Sequence, residues 1–509
     1  MGTSTGNAPL QKRPSAAASG PHENVIVLAL GLASMLVSMM QTLVVPILGL
    51  IQSSLHTTAA GASWVTTVTL LSAAVFTPLL GRFGDQHGKK STLVAVMAVL
   101  IAGTLLAATT HSLAWLITAR ALQGSATAIF PLALSVLRDE IRPERLHAAM
   151  AMVSGAFAFG SGIALVAAGL MTAGSHPDYR NVFWLVTGLS AVTLVAVVVL
   201  VPATRHTARG RTDIPGTVTL AATLVLLLLP VTQGHEWGWS SARTVGCFIG
   251  AVVAAGAWML IELKVPQPLV DMRMFAHRPV LLSNLVGLLV GFGMFALFVG
   301  VSALAQVPPQ IAGYGFGASV LRASVEYLLP VSVIALLLAP AGGRLVTRYG
   351  PRAVLLTGSL LGTAGFVWIA VDHRHTVSVV GGSVLMGAAG SLGYAAMPAI
   401  TIASVPRHQT GIANGINSIA RSAGGAVGSA VITTVLASKS LPKAPVLPAE
   451  SQFTLSFVLG AVGLALIAPT AWFGLRRIGL APHHTGESAP IPDTATEPEP
   501  TPAGPHRIN

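Results

Sequence analysis

Long apolar runs recur along the whole chain and leave room for little except a membrane-spanning helical fold. A helix needs roughly 20 mainly apolar residues to cross the hydrocarbon core of a bilayer. Only 9% of the 509 residues are charged, against about 25% in soluble domains. The sequence therefore predicts an all-α integral membrane protein with fourteen transmembrane helices. These begin near residues 24, 62, 91, 113, 146, 181, 215, 243, 280, 317, 352, 375, 410 and 452.

The distribution of Lys and Arg predicts the orientation of these helices. With the N-terminus placed in the cytoplasm, inner segments hold 21 of the 29 basic residues, outer loops hold five and the spans hold three. Cytoplasmic loops are the ones enriched in Lys and Arg. The bias favours an even number of crossings with both termini in the cytoplasm of a cell (plasma or inner) membrane. It also explains the net charge of +12 without nucleic-acid binding.

The segment GRFGDQHGKKSTL, residues 81–93, contains glycines and lysines that suggest a phosphate-binding loop. A Walker loop has four residues between its glycines, then Gly-Lys-Ser/Thr, at a junction from strand to helix. Here three residues separate Gly84 from Gly88, Lys90 intervenes before Ser91, and the flanking segments are apolar helices. The segment therefore does not predict a nucleotide site.

The same pattern occurs a second time, which indicates an internal repeat. GRFGDQHGKK at 81–90 and GRLVTRYGPR at 343–352 share Gly-Arg, a large apolar residue and a glycine seven positions after the first. Each lies between the second and third helices of a six-helix block. The chain is therefore predicted to consist of two six-helix bundles with two helices inserted between them, and parallel repeats of this kind are typical of transporters.

This repeat gives the predicted domain organisation. A short cytoplasmic segment comes first, and a Pro-rich disordered cytoplasmic tail comes last. The segment spans residues 1–23, the first bundle 24–204, the inserted helices with their linkers 205–279, the second bundle 280–476 and the tail 477–509.

On these motifs the sequence resembles the major facilitator superfamily, specifically its fourteen-helix drug:proton antiporter branch, over about residues 24–476. The 81–90 segment is similar to the family's Gly-x-Leu-Ala-Asp-Arg-x-Gly-Arg-Lys loop. RALQGSATA at 120–128 is similar to its helix 4 signature, and the segment at 410–431 to its late Gly-rich helix. The resemblance implies a secondary transporter that exports amphipathic or lipophilic compounds by proton antiport, with alternating access.

The resemblance also implies that the two repeated loops act as a latch that holds one conformation of the transport cycle. Asp85 is the acid of the motif; close to a helix start it can accept backbone N–H groups and pair with a nearby Lys or Arg. A basic loop that only sets the topology is the open alternative. The latch candidates are Gly81, Asp85, Gly88, Lys89, Lys90, Gly343, Arg348 and Gly350.

Ionisable groups at bilayer depth are functional candidates because a charge inside lipid is costly. Glu326 is the only acid predicted to lie well inside a span, and Arg322 lies one turn earlier on the same helical face. A buried carboxylate beside a cation can be poised to titrate near neutral pH. We therefore predict that Glu326 and Arg322 take part in proton coupling, with a fixed ion pair near the outer face as the alternative.

Further polar residues inside the spans are candidates for the transport pathway. Arg120 on helix 4 cannot lose its proton near neutral pH, and the resemblance implies a role for it in proton coupling, against the alternative of a structural charge. Buried amides act equally often as contacts between helices. The candidates that could line the pathway are Gln41, Gln123, Asn414, Asn417 and Arg421.

Two departures from the family pattern keep the driving force open. Met40 stands where many members of the branch carry an acid in helix 1. ALVAAG at 164–169 keeps Gly169 but has Ala164 and Leu165 where the antiporter signature has Gly-Pro. A proton-independent uniporter or uptake carrier on the same fold is therefore the main alternative, and a non-transporting membrane receptor or assembly partner ranks below it.

The predicted partners follow from this assignment. They are a small-molecule substrate, protons and the lipid bilayer, without nucleic acid, nucleotide, cofactor or metal, and a monomer suffices. The single cysteine, Cys247, excludes an intrachain disulfide. No constellation of residues indicates an enzyme.

Overall fold

The computed structural model is almost entirely helical, as the apolar runs predict. Most of the predicted N-terminal segment, 1–23, and all of the predicted tail, 477–509, lie outside the residues that it describes. The described residues are 20–172, 178–203, 213–265, 278–405, 410–441 and 444–474.

The first bundle extends to residue 200. Short 3-10 segments connect α1 to α2 at Val45–Ile47 and α5 to α6 at Ser125–Ala128. Because of the second connection, α5 and α6 form one apolar rod long enough to span a membrane. The helices are α1 (Gly20–Leu43), α2 (Leu48–Ser54), α3 (Ala59–His87), α4 (Lys89–Thr109), α5 (Leu113–Gly124), α6 (Ile129–Glu140), α7 (Pro143–Thr172) and α8 (Tyr179–Leu200).

The inserted pair and the second bundle follow. A π-helical segment, Ala323–Leu328, joins α13 to α14, and two short antiparallel strands, β1 (Ser440–Leu441) and β2 (Ala444–Pro448), connect α16 to α17. The inserted helices are α9 (Ile214–Trp237) and α10 (Ala242–Lys264). Those of the second bundle are α11 (Arg278–Gln306), α12 (Pro309–Ala312), α13 (Val320–Arg322), α14 (Leu329–Val371), α15 (Thr376–Ser404), α16 (Thr410–Ser438), α17 (Glu450–Ala465) and α18 (Ile467–Gly474).

Thirteen segments of the described chain are long and apolar enough to cross a membrane. One of them, Val320–Val371, has 52 residues. A straight helix of that length would measure about 78 Å, more than twice the thickness of a hydrocarbon core of roughly 30 Å. Its backbone leaves the helical conformation at Gly350, where φ is 80° and ψ is 158°. A division there would give fourteen crossings; that number, and the side on which the termini lie, stay predictions.

The two repeated glycine motifs form breaks of a single residue. The polar segment 81–93 between the second and third helices is predicted to be a loop, and this is wrong, because α3 continues to His87 and α4 begins at Lys89. Only Gly88 between them is non-helical, with φ 101° and ψ 130°. Gly350 has the corresponding position and a φ of 80° in the second motif. Positive φ is readily available to glycine because it lacks a Cβ, which explains why both motifs place glycine there.

Helix packing follows the predicted arrangement of two bundles. In the first bundle α1 packs against α7 and α8, and α3 packs against α5; in the second, α11 packs against α16 and α14 against α15. The bundles meet along two seams, α3 against α16 and α7 against α14. The inserted helix α9 packs against α10 and against both helices of the first seam.

Close approach between α11 and α16 depends on the glycines of α16. A Cβ added at Gly424 would overlap the carbonyl oxygen of Leu288, and one added at Gly428 would lie 2.5 Å from the carbonyl oxygen of Phe292. Membrane helices associate largely through such backbone contacts, because apolar side chains gain little on leaving lipid. Packing therefore explains the Gly-rich sequence of α16.

We expect Gly424→Leu to destabilise the second bundle by about 3 kcal/mol or more, because backbone atoms must move apart. The thermal stability and monodispersity of the purified protein in detergent measure this effect. Gly256→Leu is the matched control, since nothing lies within 4 Å of a Cβ added there. Equal stability of the two variants would contradict the packing argument.

Candidate functional site

A cavity of about 390 Å³ lies between the two bundles. Helices α1, α2, α3, α5, α7 and α9 form one side of its wall, and α11, α15 and α16 form the other. The inserted helix α9 contributes Val231 and Thr232, and its Gln233 Nε2 donates to Thr67 Oγ1 at 3.2 Å. Pockets for drug-sized molecules have volumes of roughly 300–1,000 Å³. The cavity is therefore large enough for a small organic compound.

The cavity wall is amphipathic. Hydroxyl groups and aromatic rings come from both bundles, and two arginines add positive charge. None of the described side chains that line the cavity is a carboxylate. The hydroxyl and aromatic residues include Ser38, Thr69, Ser161, Phe157, Phe295 and Tyr394.

Arg120 is buried in the first bundle and borders the cavity. Its Nε donates to the carbonyl oxygen of Val65 at 3.1 Å, and its Nη1 donates to Gln123 Oε1 at 2.6 Å. Gln123 is held in turn by a bond from its Nε2 to the carbonyl oxygen of Gly103 at 3.1 Å. These contacts fix the guanidinium in one orientation without neutralising its charge.

Arg421 of α16 lies in a cage of three aromatic rings. Its guanidinium carbon is 5.0 Å from the ring centroid of Phe130, 5.0 Å from that of Phe157 and 5.1 Å from that of Tyr394. Its Nη2 also donates to Ser418 Oγ at 3.1 Å. Ring faces attract cations electrostatically, and two of the three rings belong to the first bundle. Arg421 therefore links the bundles at the cavity, with no carboxylate partner among the described residues.

The pathway-lining candidates occupy different environments. Gln41 borders the cavity and its Nε2 donates to Thr127 Oγ1 at 3.1 Å. Gln123 is buried behind Arg120, and Asn417 Nδ2 donates to the carbonyl oxygen of Ser283 at 2.9 Å, which ties α16 to α11. Asn414 is buried away from the cavity lining. Of the five candidates, Gln41 and Arg421 border the cavity; substrate contact stays a prediction for both.

The first glycine motif carries a buried charge network. Lys89 Nζ lies 2.6 Å from Asp139 Oδ2 and 3.9 Å from Asp85 Oδ1, and it donates to the carbonyl oxygen of Ser135 at 3.3 Å. The side chains of Lys89 and Asp85 are completely buried. Lys90 instead extends to the carbonyl oxygen of Val198 at 2.9 Å on α8.

This network contacts the second bundle at the start of α16. A Cβ added at Gly411 would lie 2.8 Å from Asp85 Oδ2, and one added at Gly81 would lie 3.0 Å from the carbonyl oxygen of Gly411. Arg138 donates to Thr410 Oγ1. A carboxylate is stabilised at a helix N-terminus, where the backbone N–H groups have no partner within the helix. Asp85 lies near the end of its own helix, α3, and faces the start of α16 on the opposite bundle.

The second glycine motif makes a contact between the bundles without charge. A Cβ added at Gly343 would lie 2.6 Å from Ala148 Cα on α7. Thr347 has the position that corresponds to Asp85, and its Oγ1 bonds to the carbonyl oxygen of Gly343 at 3.1 Å. Arg348 is exposed, with its guanidinium carbon 5.3 Å from the ring centroid of Tyr349. The two motifs are related in backbone, but only the first has buried ion pairs.

Glu326 and Arg322 form an ion pair outside the cavity lining. Arg322 Nε lies 2.7 Å from Glu326 Oε2, and the side chains are 58% and 33% exposed in the protein. The prediction that Glu326 is a buried carboxylate is therefore wrong: its side chain is one-third exposed, and it lies six residues after Val320, where the apolar segment begins. Its role in proton coupling stays a prediction, and the geometry suits the alternative of a fixed ion pair near one end of the bundle.

Sequence reasoning missed several residues of the site. Arg138 counted only toward membrane topology and Asp139 was not a candidate, although adjacent opposite charges at the end of a span are a usable signal for a latch. The contacts of Thr410 and the ring cage of Arg421 depend on residues far apart in the chain, and no local pattern indicates them. Within the described residues, no group of three His, Cys, Asp or Glu side chains could hold a metal ion.

Comparison with known proteins agrees with this architecture. The model of the Major Facilitator Superfamily matches residues 30–321 and 285–503. The tetracenomycin C resistance and export protein of Streptomyces glaucescens is 28% identical over 420 residues, 81% of this chain and 76% of that protein. The cephamycin export protein CmcT of Amycolatopsis lactamdurans is 29% identical over 406 residues, 76% of this chain and 80% of that protein.

A further relative and a solved structure extend the comparison. The uncharacterized MFS-type transporter EfpA of Mycobacterium tuberculosis is 30% identical over 428 residues, 82% of this chain and 77% of that protein. The crystal structure of the human organic anion transporter MFSD10 has a TM-score of 0.61 at 15% identity, and the match covers 88% of this chain and 99% of that one. At that identity the likeness concerns the fold alone.

Proposed function

Because the chain belongs to the major facilitator superfamily, we propose that this membrane transporter exports small amphipathic or lipophilic compounds by alternating access, in exchange for protons. Two relatives are named for the export of tetracenomycin C and of cephamycin, which supports export of antibiotic-like compounds. The observation that carries the proposal is a cavity between the bundles that direct contacts close at one end.

The position of the cavity along the helices supports alternating access. On α3, the cavity-lining residues end at Ala73, and Asp85 lies twelve residues later, about 18 Å further along the helix. On α16, Gly411 belongs to the closed end and Arg421 to the cavity. Rocking of the bundles would break the contacts of Asp85 and Arg138 with the start of α16. The first glycine motif would then act as the latch of the closed end.

Glycines at both seams support such a movement. Gly81 faces Gly411 at the first seam, and Gly343 faces Ala148 at the second. Backbones in such close contact can separate and meet again without repacking large side chains. Gly88 and Gly350, next to these contacts, provide breaks between consecutive helices.

We propose that proton coupling involves Glu326 and acts through the contact between the bundles, since this carboxylate lies outside the cavity lining. Glu326 belongs to the π-helical segment Ala323–Leu328, and such segments often occur at functional sites. Leu321, two residues before this segment, packs on the first bundle: a Cβ added at Gly169 would lie 3.1 Å from Leu321 Cα. Protonation of Glu326 would release Arg322 and alter the packing of this segment on α7.

Glu326→Gln is expected to uncouple transport, because it abolishes the ion pair and retains the side-chain shape. Cells that lack their own efflux pumps, loaded with a panel of fluorescent amphipathic dyes, should retain less dye when they express the wild-type protein. A protonophore should abolish that difference. In proteoliposomes containing an exported dye, the wild-type protein should show dye-dependent proton movement, and Glu326→Gln should show none.

Glu144→Gln removes an exposed carboxylate from the first turn of α7 and is the matched control. If Glu326→Gln left the coupling unchanged, the ion pair of Glu326 with Arg322 would have only a structural role. If the wild-type protein lowered the retention of no dye in the panel, the export proposal would fail.

A second candidate function is a proton-independent uniporter or uptake carrier on the same fold. The absence of a carboxylate among the described cavity-lining side chains favours it, because direct competition between proton and substrate needs a titratable group in the cavity. Dye movement that is insensitive to a protonophore would select this candidate.

For either function we propose a monomer in the cell membrane, with both termini in the cytoplasm and the predicted domain boundaries.

A further inference from the structure

We propose that the central cavity selects anionic aromatic compounds and disfavours organic cations. The inference rests on the proposed function in one respect, namely that this cavity is where the substrate binds. It specifies the chemical class of that substrate. The determinants are the two arginines of the cavity and the ring cage around one of them.

The charge of the cavity is the first argument. Arg120 and Arg421 both border it, and an arginine keeps its proton at any physiological pH. Their described hydrogen bonds go to neutral acceptors: a backbone carbonyl and an amide for Arg120, a hydroxyl for Arg421. Two positive charges without a carboxylate in the described lining therefore act on any ligand. Away from bulk water such charges are weakly screened, so they attract an anion and repel a cation.

The environment of Arg421 is the second argument. Three ring faces stabilise its guanidinium by cation–π attraction, which offsets part of the cost of burying a charge. Among the described residues Arg421 has a hydroxyl and no carboxylate as hydrogen-bond partner, and a carboxylate or sulfonate of a ligand can accept from a guanidinium in a bidentate manner. The cage therefore holds the guanidinium of Arg421 where it can pair with an acidic group of a ligand.

The aromatic wall is the third argument. Phe157 and Tyr394 belong to the cage and also line the cavity, and Phe295 lines it opposite the first bundle. Phe295 and Phe298 pack edge to face with centroids 6.4 Å apart. Such rings pair well with flat aromatic ligands by offset stacking. A rigid aromatic ligand that carries one acidic group therefore fits both the aromatic rings and the arginines of the cavity wall.

Two matched pairs of ligands test the inference on the purified full-length protein. Fluorescein and tetramethylrhodamine methyl ester share a xanthene ring system but carry opposite charges; naphthylacetate and naphthylmethylammonium form a smaller pair. We expect the anion of at least one pair to bind about tenfold or more tightly than its cation, measured by fluorescence anisotropy or by ligand-induced thermal stabilisation. Arg421→Gln should reduce that preference to about threefold or less, and Arg421→Lys should retain part of it.

Arg374→Gln is the matched control, because it removes the same charge from an exposed ion pair with Glu450; it should keep the full preference. Stronger binding of the cations, equal binding of both charges, or no binding of either anion would overturn the inference. Loss of the preference in Arg374→Gln as well would also overturn it. Export of the cationic dye by cells would leave the proposed export function intact and refute the charge selectivity. Binding of the anions without transport of any dye would leave the charge selectivity intact and refute the export function.

Discussion

Replacing Asp85 with Asn should loosen the closed end of the cavity and reduce transport by roughly tenfold. The side chain of Asp85 is fully buried, faces the first turn of α16 near Gly411, and lies 3.9 Å from Lys89 Nζ. Asn keeps the size but removes the negative charge that favours the helix N-terminus, a loss of about 1–2 kcal/mol. Lys89 keeps its 2.6 Å contact with Asp139, so the variant should fold.

A buried thiol reports the opening of this end directly. Cys247 is the only cysteine of the chain, so Cys247→Ser gives a background without reactive thiols. Thr77 is buried on α3 between the cavity and Asp85, and its carbonyl oxygen lies 3.4 Å from a Cβ added at Gly415. In Thr77→Cys, labelling by N-ethylmaleimide should be slow. Adding Asp85→Asn should increase the labelling rate by about tenfold, in line with the expected free-energy change.

Asp178→Asn is the matched control for this change. Asp178 caps the start of α8 and forms a 2.6 Å ion pair with Arg180 in its first turn, but both side chains are about one-third exposed and α8 is not part of the first seam. Partly exposed pairs contribute about 0–1 kcal/mol, so transport and labelling should stay close to the wild type. Equal labelling rates with and without Asp85→Asn would show that this carboxylate does not hold the end closed.

The fold was largely predictable because the membrane imposes its pattern on local sequence. Apolar length identified the crossing helices, and the glycine seven positions into each motif marked the breaks at Gly88 and Gly350. The extent of the first break was mispredicted, because the polar residues between 81 and 87 suggested a loop while their backbone stays helical. The ion pair of Asp85 with Lys89 and the contact of Asp85 with the opposite bundle are tertiary interactions, which leave no trace in hydropathy.

The site was predictable only in part, because hydropathy reports depth in the membrane and not the direction in which a side chain points. Glu326 and Arg421 both lie within apolar helices, yet the first is partly exposed outside the cavity lining and the second is buried beside the cavity. The direction depends on which helices pack together. Arg120 was identified through the helix 4 motif, whereas Asp139 emerged only when α4 and α6 came together.

Arg120→Leu should reduce transport by about a hundredfold, the largest effect that we expect for a residue at the cavity. The change removes a positive charge from the wall and leaves Gln123 Oε1 without its donor, whereas the carbonyl oxygen of Val65 still accepts from Thr69 Oγ1 at 3.1 Å. An unsatisfied buried acceptor costs about 1–3 kcal/mol, so the change affects the orientation of Gln123 as well as the charge of the wall.

Arg120→Lys separates these two causes because it restores the charge and not the geometry. The guanidinium of Arg120 donates in two directions from a planar group, 3.1 Å to Val65 and 2.6 Å to Gln123, whereas an ammonium is a compact point charge. We therefore expect Arg120→Lys to recover less than about a tenth of wild-type transport. Dye export in cells measures this effect, and thermal stability of the purified variants shows that they fold. Full activity of Arg120→Lys would mean that only the charge matters, and full activity of Arg120→Leu would remove Arg120 from the transport mechanism.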